Sequence, residues 1–394
     1  MAIAPQVLDV DDIDFAMDDP PDLCERLSTL RSTKPAAWVR YMHEPALLLT
    51  SHELVAAGFR NEDDFPSSTF YDLWSAPVMG RTLQCMTGDE HRLNRALVSP
   101  AFRMRLMPDY VAPILEPVAH QLVDEFAGRG EVDLVAEFTK RFPLSVITRL
   151  LALPPSADGD FQRWALGLIS YPWDPDAALA ASAEFTRYLA PLVAERRRNP
   201  GSDLISTLAT EEVEGRRLTD DEIFSFVRLL FPAGADTTYL GLGSTLLALL
   251  THPEEMAKLS ADPSGQARPA AEEGLRWQPP VGFLSRRTVG DVHWRELSIP
   301  PSTYVLLGVL AANRDPAVFD EPDRFDISRD PQSTLTFGFG MHFCLGAHLA
   351  RAEMEVGLRV LVERLPNLRI DSTDPLRISG TIMRGPARLP VRFG

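Results

Sequence analysis

Phe337-Gly-Phe-Gly340-Met-His342-Phe-Cys344-Leu-Gly346 is the stretch on which the reading of this chain turns. Glycines and aromatic residues crowd one thiol, and a helical pattern from Ala347 to Leu365 begins directly after it. A glycine-rich approach lets the backbone turn tightly and lie against a flat ligand. The N–H groups and the N-terminus of the following helix favour negative charge on sulfur. Such a thiol is a candidate metal-bound thiolate, and a buried structural cysteine after a turn is the competing reading.

The order Phe, two residues, Gly, three residues, Cys, one residue, Gly resembles the haem-ligand loop of the cytochrome P450 monooxygenases at every fixed position. The resemblance implies a mainly α fold with minor β: a triangular helical domain with small sheets and a long central helix over the haem. It makes Cys344 the metal ligand of a haem b (iron protoporphyrin IX), with Phe337 and Gly338 of the same loop against the cofactor. A thiolate in that position pushes electron density toward O–O cleavage.

Composition bounds the alternatives. A chain of 394 residues, 45% hydrophobic, can bury a large core and has length for more than one domain. The motifs run from His91 to Cys344 and must meet at one cofactor, so residues 1–394 read as a single domain: an arm over 1–34, with the resemblance covering about 35–394. Cys24, Cys85 and Cys344 are too few and scattered for a disulfide framework or a zinc site, which suits a reducing compartment. Met1-Ala-Ile-Ala-Pro5, followed by Asp9, Asp11, Asp12 and Asp14, has neither a basic start nor a continuous apolar run, so a cytoplasmic protein without signal or anchor is expected. A formal net charge of −16 disfavours nucleic acid and anionic membranes as partners.

Trp38–Tyr41 and Ala46–Thr50 flank His43-Glu-Pro45 and read as a β-hairpin. From Leu54 to about Pro279 the pattern is mainly helical, broken at Gly128-Arg-Gly130, Leu153-Pro-Pro155 and Asn199-Pro-Gly201. Strand-like pieces return at Leu297–Ile299, Tyr304–Val309 and Leu389–Phe393. Phe224 to Leu250 is nearly all apolar and long enough to imitate a membrane span, with Arg228 and Asp236 its only charges. Pro232-Ala-Gly-Ala-Asp236-Thr237-Thr238 in its middle instead suits a buried helix bent around a site. Thr219-Asp-Asp-Glu222 reads as a capping box that starts this helix, which then covers about 45 Å.

On the residues alone, Thr237 is back-bonded to a carbonyl and Asp236 marks a kink or a helix contact. Ala233-Gly234-Ala-Asp236-Thr237 also resembles the family's oxygen-binding groove, which implies that Gly234 leaves room for dioxygen and that Asp236 and Thr237 relay protons. Glu273-Gly-Leu-Arg276 as a surface pair contributes only about 0.2–0.5 kcal/mol. The resemblance, completed by Pro322-Asp-Arg324-Phe325, makes Glu273, Arg276 and Arg324 a buried structural network; Asn313-Arg-Asp315-Pro316 matches as well. His91 and Arg95, at i and i+4, form a basic helix face on their own. By resemblance they hold haem propionates together with Arg286 and His342, with Arg287 a weaker competitor for the Arg286 position.

The implied substrate pocket takes Phe70, Tyr71, Leu73 and Trp74, then Trp164, Leu168 and Tyr171, then Leu230 and Ala233, and finally Val281, Phe283, Leu284 and Ile382. Asp72 and Arg163 stand close by in sequence. Such an apolar wall suits a small-to-medium hydrophobic molecule. The resemblance therefore implies a monooxygenase using dioxygen as co-substrate and two electrons from a separate ferredoxin or flavodoxin with its reductase, with NAD(P)H acting only indirectly. A peroxide-using haem-thiolate enzyme and a non-catalytic gas or redox sensor are the alternatives; Asp236 and Thr237 count against the first. The redox partner is expected on a basic patch drawn from Arg92, Arg103, Arg105 and Arg351.

Overall fold

The computed structural model describes residues 7–330 and 333–394, so the opening Met1–Pro5 and its reading lie outside the described residues. The expected hairpin forms from Ala36–Tyr41 and Glu44–Leu49. Its turn residues Met42 and His43 have φ of 52° and 65°, the left-handed pair that matches strand twist but suits neither side chain. The Asp14 carboxylate accepts from both backbone N–H groups, at 3.0 and 2.7 Å, and fastens the turn. Five strands then order as Val10–Asp14, Ala36–Tyr41, Glu44–Leu49, Tyr304–Leu307 and Leu284–Arg287.

The last of these strands decides between two neighbouring arginines. Side chains alternate faces along a strand, so Ser285 bonds the Tyr41 hydroxyl at 2.8 Å and Arg287 lies over the Tyr304 ring. Leu284 and Arg286 turn the other way, into the cavity that Cys344 also lines. Two expectations need adjusting. Tyr304–Val309 stops as a strand at Leu307 and turns helical over Val309–Ala312. The region read as mainly helical also contains the strand Glu131–Asp133, which pairs with Pro390–Arg392 directly after the expected break at 128–130.

The long apolar segment is one bent helix. Thr219 starts it with a reciprocal capping box: its hydroxyl accepts from the Glu222 N–H at 3.2 Å, and the Glu222 carboxylate accepts from the Thr219 N–H at 2.8 Å. Regular helix runs over Asp220–Phe231, a wider π turn over Pro232–Asp236, and regular helix again over Thr237–Thr251, about 48 Å in all. Pro232 has no N–H to give to the ladder, and a local π turn absorbs such a break without ending the helix. Among the described residues no helix is long and apolar enough to cross a membrane. The helix Ala347–Arg364 packs against the bent helix and against Pro263–Trp277, bringing the cysteine loop to the helical core.

Candidate active site

One cavity lies between the bent helix and the cysteine loop. In that loop Gly338 and Gly340 have φ of 72° and 77°, values that a side chain strains to adopt. The Cys344 N–H donates to the Phe337 carbonyl at 2.8 Å and closes the loop. Cys344 lines the cavity, where its side chain is accessible. Burial pushes its thiol above the ordinary value; the Gly346 N–H and the charges of Arg95 and Arg351 oppose this without reversing it. The helix N-terminus alone therefore does not make the expected thiolate. A bound cation would, since a coordinating thiol gives up its proton.

Ala233, Gly234 and Thr237 line the cavity from the bent helix. The Thr237 hydroxyl donates to the Ala233 carbonyl at 2.7 Å, within the π turn where the regular ladder is broken. Its oxygen lone pairs remain free to accept. A Cβ on Gly234 would stand 2.9 Å from the Ile147 Cδ1, so the close neighbour that this glycine admits is Ile147. Asp236 is not among the lining residues; its electrostatic neighbours are Lys140 and Tyr239. Burial pushes the Asp236 carboxyl up to about 6, against the opposing charge of Lys140. Glu353, buried on the cysteine-loop helix, lines the cavity with one carboxyl oxygen unpartnered; burial drives its pKa well up, only partly offset by the Thr238 hydroxyl.

The four expected propionate partners converge at one edge. The rings of His91 and His342 are 4.5 Å apart, Arg95 donates to the Phe343 carbonyl at 2.6 Å, and Arg286 is almost wholly buried. Burial, with His342 and Arg95 alongside, pushes His91 down to about 4. Two polar atoms here, His91 Nε2 and Arg286 Nε, are buried without a hydrogen-bond partner. Orphaned polar atoms of this kind are costly unless a ligand completes them. Unpartnered polar atoms at the edge, one of them an arginine N–H, and a thiol that lines the same cavity fit a haem with its two carboxylates. Sequence reasoning missed Glu62, whose carboxylate sits beside Arg286 and His342, because no periodic pattern sets it apart.

Glu273 and Arg276 form a fully buried pair, joined at 2.7 and 2.8 Å. The same guanidinium donates to the carbonyls of Asn313, Pro322 and Arg324. Arg324 departs from expectation: its side chain is 57% exposed and pairs with Glu321, so only its carbonyl joins the network. Arg329 supplies the third side chain, 3.4 Å from Glu273. A chain turn at Arg324 directs its backbone inward, and the guanidinium five residues later reaches back.

The pocket expectation divides in two. Tyr71, Leu230, Ala233, Val281 and Leu284 line the cavity; Phe70, Leu73, Trp74, Trp164, Leu168, Tyr171, Phe283 and Ile382 do not. Trp164 stacks on Phe185, and its indole donates to Glu184 at 3.0 Å. Leu168 is buried beside it because this face of Asp158–Ile169 packs on Pro175–Arg198. Phe283 meets Phe15 edge-on, Ile382 packs on that same cluster, and Leu73 is exposed. Ile147, Phe226 and Leu229 take the vacated places in the wall, the last two at helical spacing from Leu230 and Ala233.

A helical fold closed over one cavity thiol, with a cationic cradle at the edge, is that of a haem-thiolate protein. The chain belongs to the cytochrome P450 family: that family's model matches residues 170–263 and 268–391. It is 33% identical over 386 residues to the 6-deoxyerythronolide B hydroxylase of Saccharopolyspora erythraea, covering 92% of this chain and 94% of that one. It is 34% identical over 378 residues to the vitamin D(3) 25-hydroxylase of Pseudonocardia autotrophica, covering 93% of each. A cytochrome P450 structure from Chondromyces apiculatus superposes with a TM-score of 0.88 at 32% identity, over 97% of this chain and 98% of that one. The protein is thus a cytochrome P450 monooxygenase that uses haem iron and dioxygen, takes electrons from a redox partner and binds an organic substrate.

Proposed function

We propose that residues 1–394 act as one cytoplasmic catalytic domain that oxidises a small-to-medium hydrophobic molecule at a haem b held by Cys344. The observation that carries this reading is that Cys344, Gly234 and Thr237 border one cavity whose wall beside the bent helix is apolar. Haem, when bound, supplies the redox chemistry toward dioxygen. His91, Arg95, Arg286 and His342 would hold its carboxylates, and Phe337 and Gly338 of the cysteine loop would pack against it. Ile147, Phe226, Leu229 and Leu230 exclude water and bury apolar substrate surface, worth about 25 cal/mol per Å².

Proton handling falls to the bent helix. Thr237, with its own proton committed to Ala233, presents an acceptor that orients a proton-donating group in the groove. Asp236, titrating near 6, gives and recovers a proton at neutral pH, the condition under which a general acid contributes about 10²–10⁴ in rate. The relatives named for 6-deoxyerythronolide B and vitamin D(3) support a hydrophobic substrate class.

Electrons come from a ferredoxin or flavodoxin whose reductase draws on NAD(P)H. Its docking patch shifts from the sequence expectation, because Arg92 is paired with Asp89 and Glu214, and Arg351 with Glu272. Arg103 and Arg105 are exposed with no carboxylate partner among the described residues and are the better steering charges. The test of the substrate class is a spectral titration of the ferric protein against hydrophobic compounds. A substrate of the proposed class is expected to shift the haem absorption spectrum; a response confined to charged polar compounds would overturn the assignment.

A further inference from the structure

Glu62 places an ionised carboxylate at the edge of the cavity where the cofactor's own two carboxylates are to be bound. It lies in the turn 61–65, which is fixed by the Asp64 N–H donating to Asn61 Oδ1 at 3.2 Å and by the Phe65 N–H donating to the Asn61 carbonyl at 3.0 Å. From there one carboxylate oxygen accepts from Arg286 at 3.3 Å. The other accepts from the Ser67 N–H at 3.1 Å and lies 3.5 Å from His342 Nε2. Ser67 completes the ring, its hydroxyl 2.9 Å from His342 Nε2. The Glu62 side chain is only 13% exposed. Burial raises its pKa, but the bond to His342, the Arg286 charge and the Ser67 N–H outweigh this and leave it below the ordinary value.

The titratable and charged groups facing Glu62 are Arg286 from the sheet, His342 from the cysteine loop, and His91 from the helix Gly88–Val98, with Arg95 on the same helix beside His91. Resting on the haem reading above, we propose that Glu62 is a positioning residue for the cofactor. It orients Arg286 and His342 before haem arrives, and its charge beside the two propionates holds the iron's reduction potential down. Two carboxylates alone would leave the arginines Arg95 and Arg286 in balance. A third adds one negative charge to this edge, and negative charge near an iron in low dielectric disfavours the reduced state.

The experiment compares the purified holoprotein with Glu62→Gln and Glu62→Asp. Midpoint potentials are read by spectroelectrochemistry, and haem loss by transfer to apomyoglobin. Glu62→Gln, nearly the same shape without the charge, is expected at a more positive potential; Glu62→Asp, which keeps the charge, is expected at the parent value. Retention of haem by Glu62→Asp alone would also support the charge role. Glu62→Gln at the parent potential, Glu62→Asp displaced as far as Glu62→Gln, or haem lost equally from both would overturn it. A parent protein lacking the red-shifted ferrous–CO band would instead defeat the haem-thiolate reading, so the two failures are distinct.

Discussion

Asp236→Asn provides a test that needs no substrate. Its carboxyl is raised from 3.8 to about 6 by burial, with Lys140 pulling the other way. A raised acid is penalised in the folded state once the unfolded chain can ionise. Below about pH 4 both states hold the proton and no penalty exists. Between about pH 4 and pH 6 only the unfolded chain ionises, and above about pH 6 the penalty is complete, at roughly 3 kcal/mol for about two pK units. Asparagine carries no such penalty, so the variant's stability relative to the parent rises by about 1.4 kcal/mol between about pH 5 and pH 7.5. Urea unfolding at fixed ionic strength, repeated across that range, measures it. Any constant cost of placing an amide there cancels in the comparison. A stability difference independent of pH, or one that shrinks as pH rises, would refute a buried, high-pKa carboxyl at this position.

Thr237→Ala is expected to bind haem and substrate as the parent does while diverting electrons into peroxide, measured as peroxide released per electron pair consumed; unchanged coupling would place the proton route elsewhere. Arg276→Ala leaves Glu273 buried without its bidentate partner and is expected to cost roughly 3–5 kcal/mol by urea unfolding. Arg324→Ala, on an exposed side chain, should cost under about 1 kcal/mol, and equal losses would restore Arg324 to the buried network. Reversing Arg103 and Arg105 to glutamate should slow reduction by an acidic carrier at low salt, with the gap closing as ionic strength rises. Reversal at the already paired Arg351 should act less through steering.

Local features were the most legible in the sequence. Thr219 and Glu222 announce their helix start because the capping box involves only residues three apart. The thiol loop is equally local: its glycines, the two strained φ values and the following helix all lie within one short run. Long-range choices were less visible. Nothing near Arg324 or Arg329 in sequence tells which guanidinium turns toward Glu273, since that depends on how the chain folds back from Pro322. Trp164 and Leu168 were misplaced for a different reason: an apolar i, i+4 stripe reads alike whether it faces a substrate or another helix. Glu62 was invisible because its partners come from positions 286 and 342, far along the chain.

The most direct test of the central claim is the absorption spectrum of the dithionite-reduced, CO-saturated protein beside that of Cys344→Ala. The parent should show the strongly red-shifted Soret band of a thiolate-bound haem, and the Cys344→Ala protein should lack it while Cys24→Ser and Cys85→Ser keep it. A normal band in Cys344→Ala, or its loss in Cys24→Ser or Cys85→Ser, would contradict the assignment of Cys344 as the iron ligand.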